Sequence, residues 1–265
     1  MNYKRKSKNY DELTFVDDFM FCKILENNEK ICKQLLELLL GVKVRKVIVT
    51  NKQKVIDPTA RGKSVRLDVY LEDDSNTVYD IEMQTTKQTD IPYRSRYYQA
   101  MIDLNMIEKG TEYNKLKKSY IIFICMNDPF GMDIPAYTFQ NTCKELPDLE
   151  LGDQAAKIFA NAACKKKNIP KALANFYEYL RTGTATDKLT NMIDKEVVEA
   201  KLHEKWKVDY MTLQMIEKQA FNDGERKLAK LMQILVEKKD MENIRLASSD
   251  ENVRQKLYEK YGIDD

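Results

Sequence analysis

Ser64-Val65-Arg66-Leu67-Asp68-Val69-Tyr70-Leu71-Glu72, the turn-forming run Asp73-Asp74-Ser75-Asn76, and Thr77-Val78-Tyr79-Asp80-Ile81-Glu82-Met83-Gln84 together decide the fold. Both flanks alternate with period two, the pattern of half-buried strands. On the first flank Val65, Leu67, Val69 and Leu71 share one face, and Arg66, Asp68, Tyr70 and Glu72 the other. On the second, Tyr79, Ile81 and Met83 oppose Asp80, Glu82 and Gln84. A hairpin loop centred on Ser75 sets Tyr70 opposite Asp80 and Asp68 opposite Glu82. Opposed Cβ atoms lie about 4.5–5.5 Å apart, where like charges destabilise unless something neutralises them. A hard divalent cation taking oxygen ligands would do so. The pair therefore reads as a metal site, an alignment that a loop shifted by one residue would break.

Working outward, Phe15 to Leu40 carries apolar residues at helical spacing, with Gly41 as its stop. Val42 to Thr50 alternates as a strand, and Pro92 to Lys109 reads as a helix ended by Gly110. Tyr120 to Met126 is continuously apolar, as a central strand buried on both faces should be. Tyr137–Gln140 and Lys157–Ala160 are further strand-like pieces. The order is that of an α/β mixed sheet flanked by helices. From Pro170 the chain is helical and heavily charged, and Arg181-Thr182-Gly183-Thr184 marks the expected boundary. It separates a core of residues 1–182 from a helical C-terminal extension, 183–265, with helices near 187–219, 225–238, 240–246 and 252–261.

Composition excludes several chemistries. Lys plus Arg number 44 and Asp plus Glu 42, so a nucleic-acid surface must be a local cleft and not a basic coat. The Lys4, Arg5, Lys6 and Lys8 cluster reads as a solvated terminus or a phosphate-binding arm. Five cysteines without C-x-x-C spacing point to reduced, buried thiols and a cytoplasmic setting. No apolar run approaches the roughly 20 residues of a membrane span, so no membrane partner is expected. His203 is the single histidine and sits in a charged stretch, which argues against triads and histidine-rich zinc sites. With no glycine-rich phosphate loop either, acid–base work falls to carboxylates, lysine, tyrosine or metal-bound water.

A series of ordered motifs then resembles a known family. It comprises Asp18-Phe19-Met20-Phe21, Lys63 through Tyr70, Tyr79-Asp80-Ile81-Glu82-Met83-Gln84 and Arg94-Ser95-Arg96-Tyr97-Tyr98-Gln99. Ile122-Phe123-Ile124-Cys125, Asp128-Pro129-Phe130-Gly131 and Leu149 through Asp153 complete it. From about residue 12 to about residue 215 the chain resembles the PD-(D/E)XK nuclease family transposases, relatives of the recombination-promoting nucleases. The resemblance implies a restriction-endonuclease-like fold and Mg²⁺-dependent hydrolysis of DNA phosphodiesters, with Mn²⁺ able to substitute. It implies Asp68, Glu82 and the Met83 carbonyl as metal ligands. Gln84 stands where many relatives carry lysine, so it can orient water but brings no charge. Arg66, facing Gln84 in the expected register, and Lys87 are candidate sources of that charge.

Asp18 has two readings, an outer metal ligand or water base, and an acid favoured by the helix N-terminus. Arg94 and Tyr98 lie four residues apart on one helix face and, with Arg96 and Arg66, are candidate substrate contacts. Tyr97 reads as core packing, and Asp80 as an acid lacking the partner that Asp68 gives Glu82. The expected function is a DNA endonuclease of mobile-element, recombination-promoting or genome-defence type from a bacterium, acting as a homodimer. The alternatives are a nuclease-like DNA-binding regulator with little hydrolysis, and a metal-dependent RNase.

Overall fold

The computed structural model describes residues 8–52, 55–56, 65–166 and 168–263. Lys63 and Ser64 of the motif series, and Lys4 to Lys6 of the basic cluster, lie outside the described residues. The hairpin forms as expected from strands β4 (Val69–Asp73) and β5 (Val78–Gln84). Their pairs are Val69↔Ile81, Tyr70↔Asp80, Leu71↔Tyr79 and Glu72↔Val78, the register set by a loop on Ser75. Asp73 closes the turn, its carboxylate accepting the Ser75 and Thr77 amides at 2.9 and 2.8 Å.

The first flank departs from one continuous strand. Val65–Arg66 (β3) pairs with Val55–Ile56 (β2) in a separate two-stranded sheet, and the β4–β5 ladder stops at Val69. Leu67 and Asp68 fall between the two strands and outside regular pairing. The interruption resets the alternation. Leu67 packs in the cluster that holds Tyr70 and Val78, and not with Val69 and Leu71. Arg66 consequently pairs with Val55 and does not face Gln84.

Around the hairpin lie β1 (Val47–Lys52), β6 (Ser119–Cys125), β7 (Ala136–Phe139) and β8 (Ala155–Asn161). The main sheet has the order β1-β4-β5-β6-β8-β7. Strands β5, β6 and β8 are parallel and in register, with Gln84, Cys125 and Asn161 on one rung at their carboxyl ends. The remaining pairings are antiparallel. Ile121 to Cys125 are almost entirely buried, as the continuously apolar run required.

Helices cover both faces. The expected first helix is two, α1 (Asp18–Asn27) and α2 (Glu29–Leu40). Asn28 breaks it, because its side chain accepts the Ile31 amide at 3.0 Å and starts a new N-terminus. Gly41 ends α2 at φ 68, the left-handed position glycine takes without a Cβ penalty. These two helices, with α4 (Lys171–Thr182) and α5 (Lys188–Lys201), bury Phe21, Leu25, Leu36, Phe176 and Ile193 against Val69, Ile81 and Ile122. Helix α3 (Ile91–Met106) covers the other face, where Met101 and Ile102 meet Ile121 and Phe123.

Two compact units result, Asp11–His203 and a second of Glu204–Asp265 with the first ten residues. The larger unit therefore runs past the expected boundary at 182/183, because Ile193 and Val197 of α5 belong to its core. The helix expected near 187–219 ends at Lys201. A new helix, α6 (Glu204–Glu237), runs through Gly224 and absorbs the one expected near 225–238. In the second unit α6, α7 (Met241–Ser249) and α8 (Glu251–Tyr261) bury Leu231, Leu235, Ala247 and Leu257. Tyr210 and Gln214 of α6 both donate to the Lys8 carbonyl at 3.0 Å. Among the described residues no helix is long and apolar enough to cross a membrane.

Candidate metal centre

The break at Leu67–Asp68 is what assembles the site. The Asp68 N–H, free of the ladder, donates to Glu82 Oε1 at 2.9 Å, and the Met83 N–H donates to Asp68 Oδ2 at 3.3 Å. Asp68 and Glu82 are thus brought together as expected, through main-chain hydrogen bonds and not as two facing ladder side chains. Both are buried. The Asp68 carboxyl is pushed up to about 8, first by burial and then by the charges of Glu82 and Asp18. Burial and Asp80 hold Glu82 well above the ordinary carboxylate range.

Asp80 corrects the sequence reading, which left it without an acidic partner. It is fully buried, and neither of its oxygens receives a hydrogen bond from an N–H or hydroxyl group. Its acidic neighbour is Glu82, and the two charges oppose each other, which favours the protonated form. Burial and the charge of Asp68 raise it well above its usual range. Three neighbouring buried acids, two oxygens of Asp80 among them lacking an N–H or hydroxyl donor, cannot all hold charge in a low-dielectric interior without a cation.

Helix α1 adds the next group. Asp18, at its first turn, lies with Cys22 and Asp68 so that one ligand atom of each falls within 4.8 Å of the others. The Cys22 thiol donates to Asp18 Oδ1 at 3.7 Å, and burial with three nearby carboxylates keeps it protonated. Asp18 Oδ2 is paired with Arg66 Nη2 at 3.0 Å. Asp17 instead accepts from the Thr14 amide and hydroxyl. Cys22 was missed from sequence, although its four-residue spacing from Asp18 puts both on one helix face.

On the α3 side Arg94 is the hub. Its Nη1 donates to Gln84 Oε1 and Gln88 Oε1, both at 2.8 Å, and its Nη2 to Tyr98 Oη at 3.0 Å. The same Nη2 lies 3.6 Å from Glu82 Oε2. The guanidinium also sits over the Tyr98 and Phe123 rings. Gln84 points its amide nitrogen to the Thr86 carbonyl and hydroxyl, at 2.7 and 3.2 Å. Guanidinium has only donors, so the Gln84 atom facing it must be oxygen. The amide nitrogen is thus engaged by Thr86, away from the acids. Arg94 stands where the sequence reading had offered Arg66 and Lys87 as positive charge. Arg66 is paired with Asp18 and its charge also acts on Asp68, so it adds to the charge that Arg94 brings, whereas Lys87 is exposed on the loop after β5. Arg96 is exposed and lies over the Tyr93 ring, away from this cluster, while Tyr97 packs against the core. The Asp128 turn is structural, its carboxylate accepting the Phe130, Gly131 and Asp133 amides and the Tyr137 hydroxyl.

The donor set fits a hard divalent cation. Asp68 and Glu82 offer buried carboxylate oxygens whose mutual repulsion a cation would relieve, and the unpartnered oxygens of Asp80 add to that need. Residues 15–144 match the family model described as PD-(D/E)XK nuclease family transposase, a stretch that includes Asp18, Asp68, Glu82, Gln84 and Arg94. No curated protein and no solved structure matches the chain.

Proposed function

Because residues 15–144 belong to the PD-(D/E)XK nuclease family transposases, we propose that this chain is a divalent-metal-dependent endonuclease that hydrolyses DNA phosphodiester bonds. Mg²⁺ is the expected cofactor and Mn²⁺ an effective substitute. The observation that carries the reading is the buried cluster of carboxyl groups formed by Asp68, Glu82 and Asp80, with Asp18 beside it. A fold spends stability to bury three acids, and metal-dependent chemistry gives that expense a purpose.

Asp68, Glu82 and the Met83 carbonyl would hold the cation, and Asp18, on the exposed side, is placed to hold an outer water or accept its proton. When bound, such a cation neutralises phosphate charge and makes an attacking water more acidic. Arg94 contributes a fixed positive charge beside Glu82, held in one rotamer by Gln84, Gln88 and Tyr98. Gln84 thus works through Arg94, so the glutamine in place of lysine does not leave the site without a cation. Arg94 and Tyr98 are the inner substrate contacts, and Arg96 stacked on Tyr93 is an outer one. The chain acts as a homodimer that presents two centres to two DNA strands, which light scattering tests. A monomer that still makes double-strand breaks would refute it.

Nicking of supercoiled plasmid in Mg²⁺, Mn²⁺, Ca²⁺ or EDTA, beside Asp68→Ala, tests the activity. Cleavage in Mg²⁺ or Mn²⁺ that EDTA and Asp68→Ala both abolish is expected. Folded protein that binds DNA and cuts it in none of these cations overturns the assignment in favour of a DNA-binding regulator.

A further inference from the structure

Parallel pairing brings the carboxyl ends of β5, β6 and β8 to one edge of the sheet, with Gln84, Cys125 and Asn161 on a common rung. Ligands of such sheets bind outside the carboxyl ends of the strands. The candidate metal centre lies at the end of β5, so the turn leaving β8 shares its edge. Two strand spacings separate Gln84 from Asn161, about 10 Å between backbones. Just beyond Asn161 come Lys165 and Lys166, both exposed.

The turn that carries these lysines is built, not merely exposed. The Ala162 amide donates to the Cys125 carbonyl at 2.9 Å and the Ala163 amide to Asn161 Oδ1 at 3.1 Å. The Lys165 amide donates to Asp133 Oδ1 at 2.8 Å, and the Cys164 thiol to the Asp133 carbonyl at 3.4 Å. From α4, Arg181 donates to the Ala162 carbonyl and pairs with Glu178. Arg181 is therefore spent on holding the turn, whereas neither lysine ammonium enters an ion pair among the described residues. Between this turn and α4 is a cavity of about 540 Å³, lined in part by Cys164, Lys165, Lys166, Ile169 and Arg181.

We propose that Lys165 and Lys166 form a second contact for the DNA backbone, binding phosphates that flank the one at the metal centre. The proposal rests on the nuclease reading and extends it to the footprint. Each nucleotide adds about 3.4 Å of rise along the duplex axis, so the roughly 10 Å between the ends of β5 and β8 is about three nucleotides of rise, and the lysines beyond β8 reach phosphates at least that far from the metal centre. Ammonium groups on a fixed turn suit that role. They supply point charge without reading base edges, and the contact would serve every sequence alike.

The test uses the full chain carrying Asp68→Ala, so that binding is measured without cleavage. A fluorescein-labelled duplex is titrated by anisotropy from 50 to 200 mM salt, with and without Lys165→Gln/Lys166→Gln. Each lost phosphate contact lowers the slope of log K against log salt by about 0.9. The double variant should therefore shed about twelvefold less affinity over that fourfold salt range. Lys115→Gln/Lys118→Gln removes the same charge from exposed positions at the amino end of β6, and should leave the slope unchanged. A parent that binds with a steep salt slope, matched by the Lys165/Lys166 variant, refutes this contact and leaves the nuclease reading intact. Equal slope losses in both lysine variants refute it too, because the effect is then one of net charge alone. A parent with no affinity for DNA removes the nuclease reading itself.

Discussion

Raising the pH in EDTA should destabilise the larger unit, with Asp68 contributing a definite share. In the unfolded chain an aspartate ionises near pH 4, whereas burial and the charges of Glu82 and Asp18 push folded Asp68 up to about 8. Between those values the folded state holds a proton that the unfolded state has lost, so its stabilisation is complete below pH 4 and gone above pH 8. At about 1.4 kcal/mol per pH unit per proton, the loss from Asp68 alone between pH 5 and pH 8 is on the order of a few kcal/mol. That is a large part of the roughly 5–15 kcal/mol that holds a typical domain folded. Glu82 and Asp80 are raised in the same direction and deepen the loss.

Trp206 lies in the other unit and reports on the wrong part of the chain. The assay is instead urea unfolding read by a brief alkylation pulse, at one fixed pH, of Cys32 and Cys125, both buried in this unit. Asp68→Asn should flatten the dependence by about one proton. Mn²⁺ should restore stability at pH 8, since a ligand that binds only the folded state stabilises it. Constant stability from pH 5 to pH 8, or an Asp68→Asn slope equal to the parent's, refutes the account of the buried acid cluster.

Arg94→Lys keeps the charge but loses the planar fork, and one ammonium cannot serve Gln84, Gln88 and Tyr98 in their present positions. Plasmid nicking should fall at least tenfold, on the order of the 1.4 kcal/mol that one misplaced group represents, while urea stability changes by about 1–2 kcal/mol. Tyr177→Phe removes the buried hydroxyl that donates to the Pro135 carbonyl at 2.6 Å, and should cost about 0.5–1.5 kcal/mol in the same urea assay, because the Asn161 amide still donates to that carbonyl. Ile122→Ala, at a fully buried position on the central strand, should cost about 2–5 kcal/mol, and a smaller loss would mean that the sheet relaxes around the cavity.

The hairpin register was legible because turn residues and period-two alternation agree across Asp73 to Thr77. The buried β6 was legible because a run of seven apolar or small residues has few other homes. Helix ends were less so. Asn28 splits a helix whose apolar spacing continues unbroken, since a side chain that caps the backbone leaves no mark on periodicity. The reach of the core through α5 was also hidden, because Gly183 ends α4 and looks like a domain boundary while Ile193 and Val197 return to the same core.

The part of the site that sequence could not give comes from one local failure of the alternation rule. Had residues 65–72 formed one strand, the Asp68 N–H would have been held by the rules of the ladder. The strand instead leaves the sheet at Leu67–Asp68, which frees that N–H for Glu82 and lets the Asp68 carboxylate accept from Met83 while lying within reach of Asp18 on α1. Arg94 is the same kind of case. Its distance from Gln84 in the chain carries no message, yet α3 returns over the sheet and sets a guanidinium against the glutamine oxygen. Local pattern reports the scaffold, and breaks in the pattern mark the chemistry, because a regular strand cannot gather three acids and an arginine into one buried place.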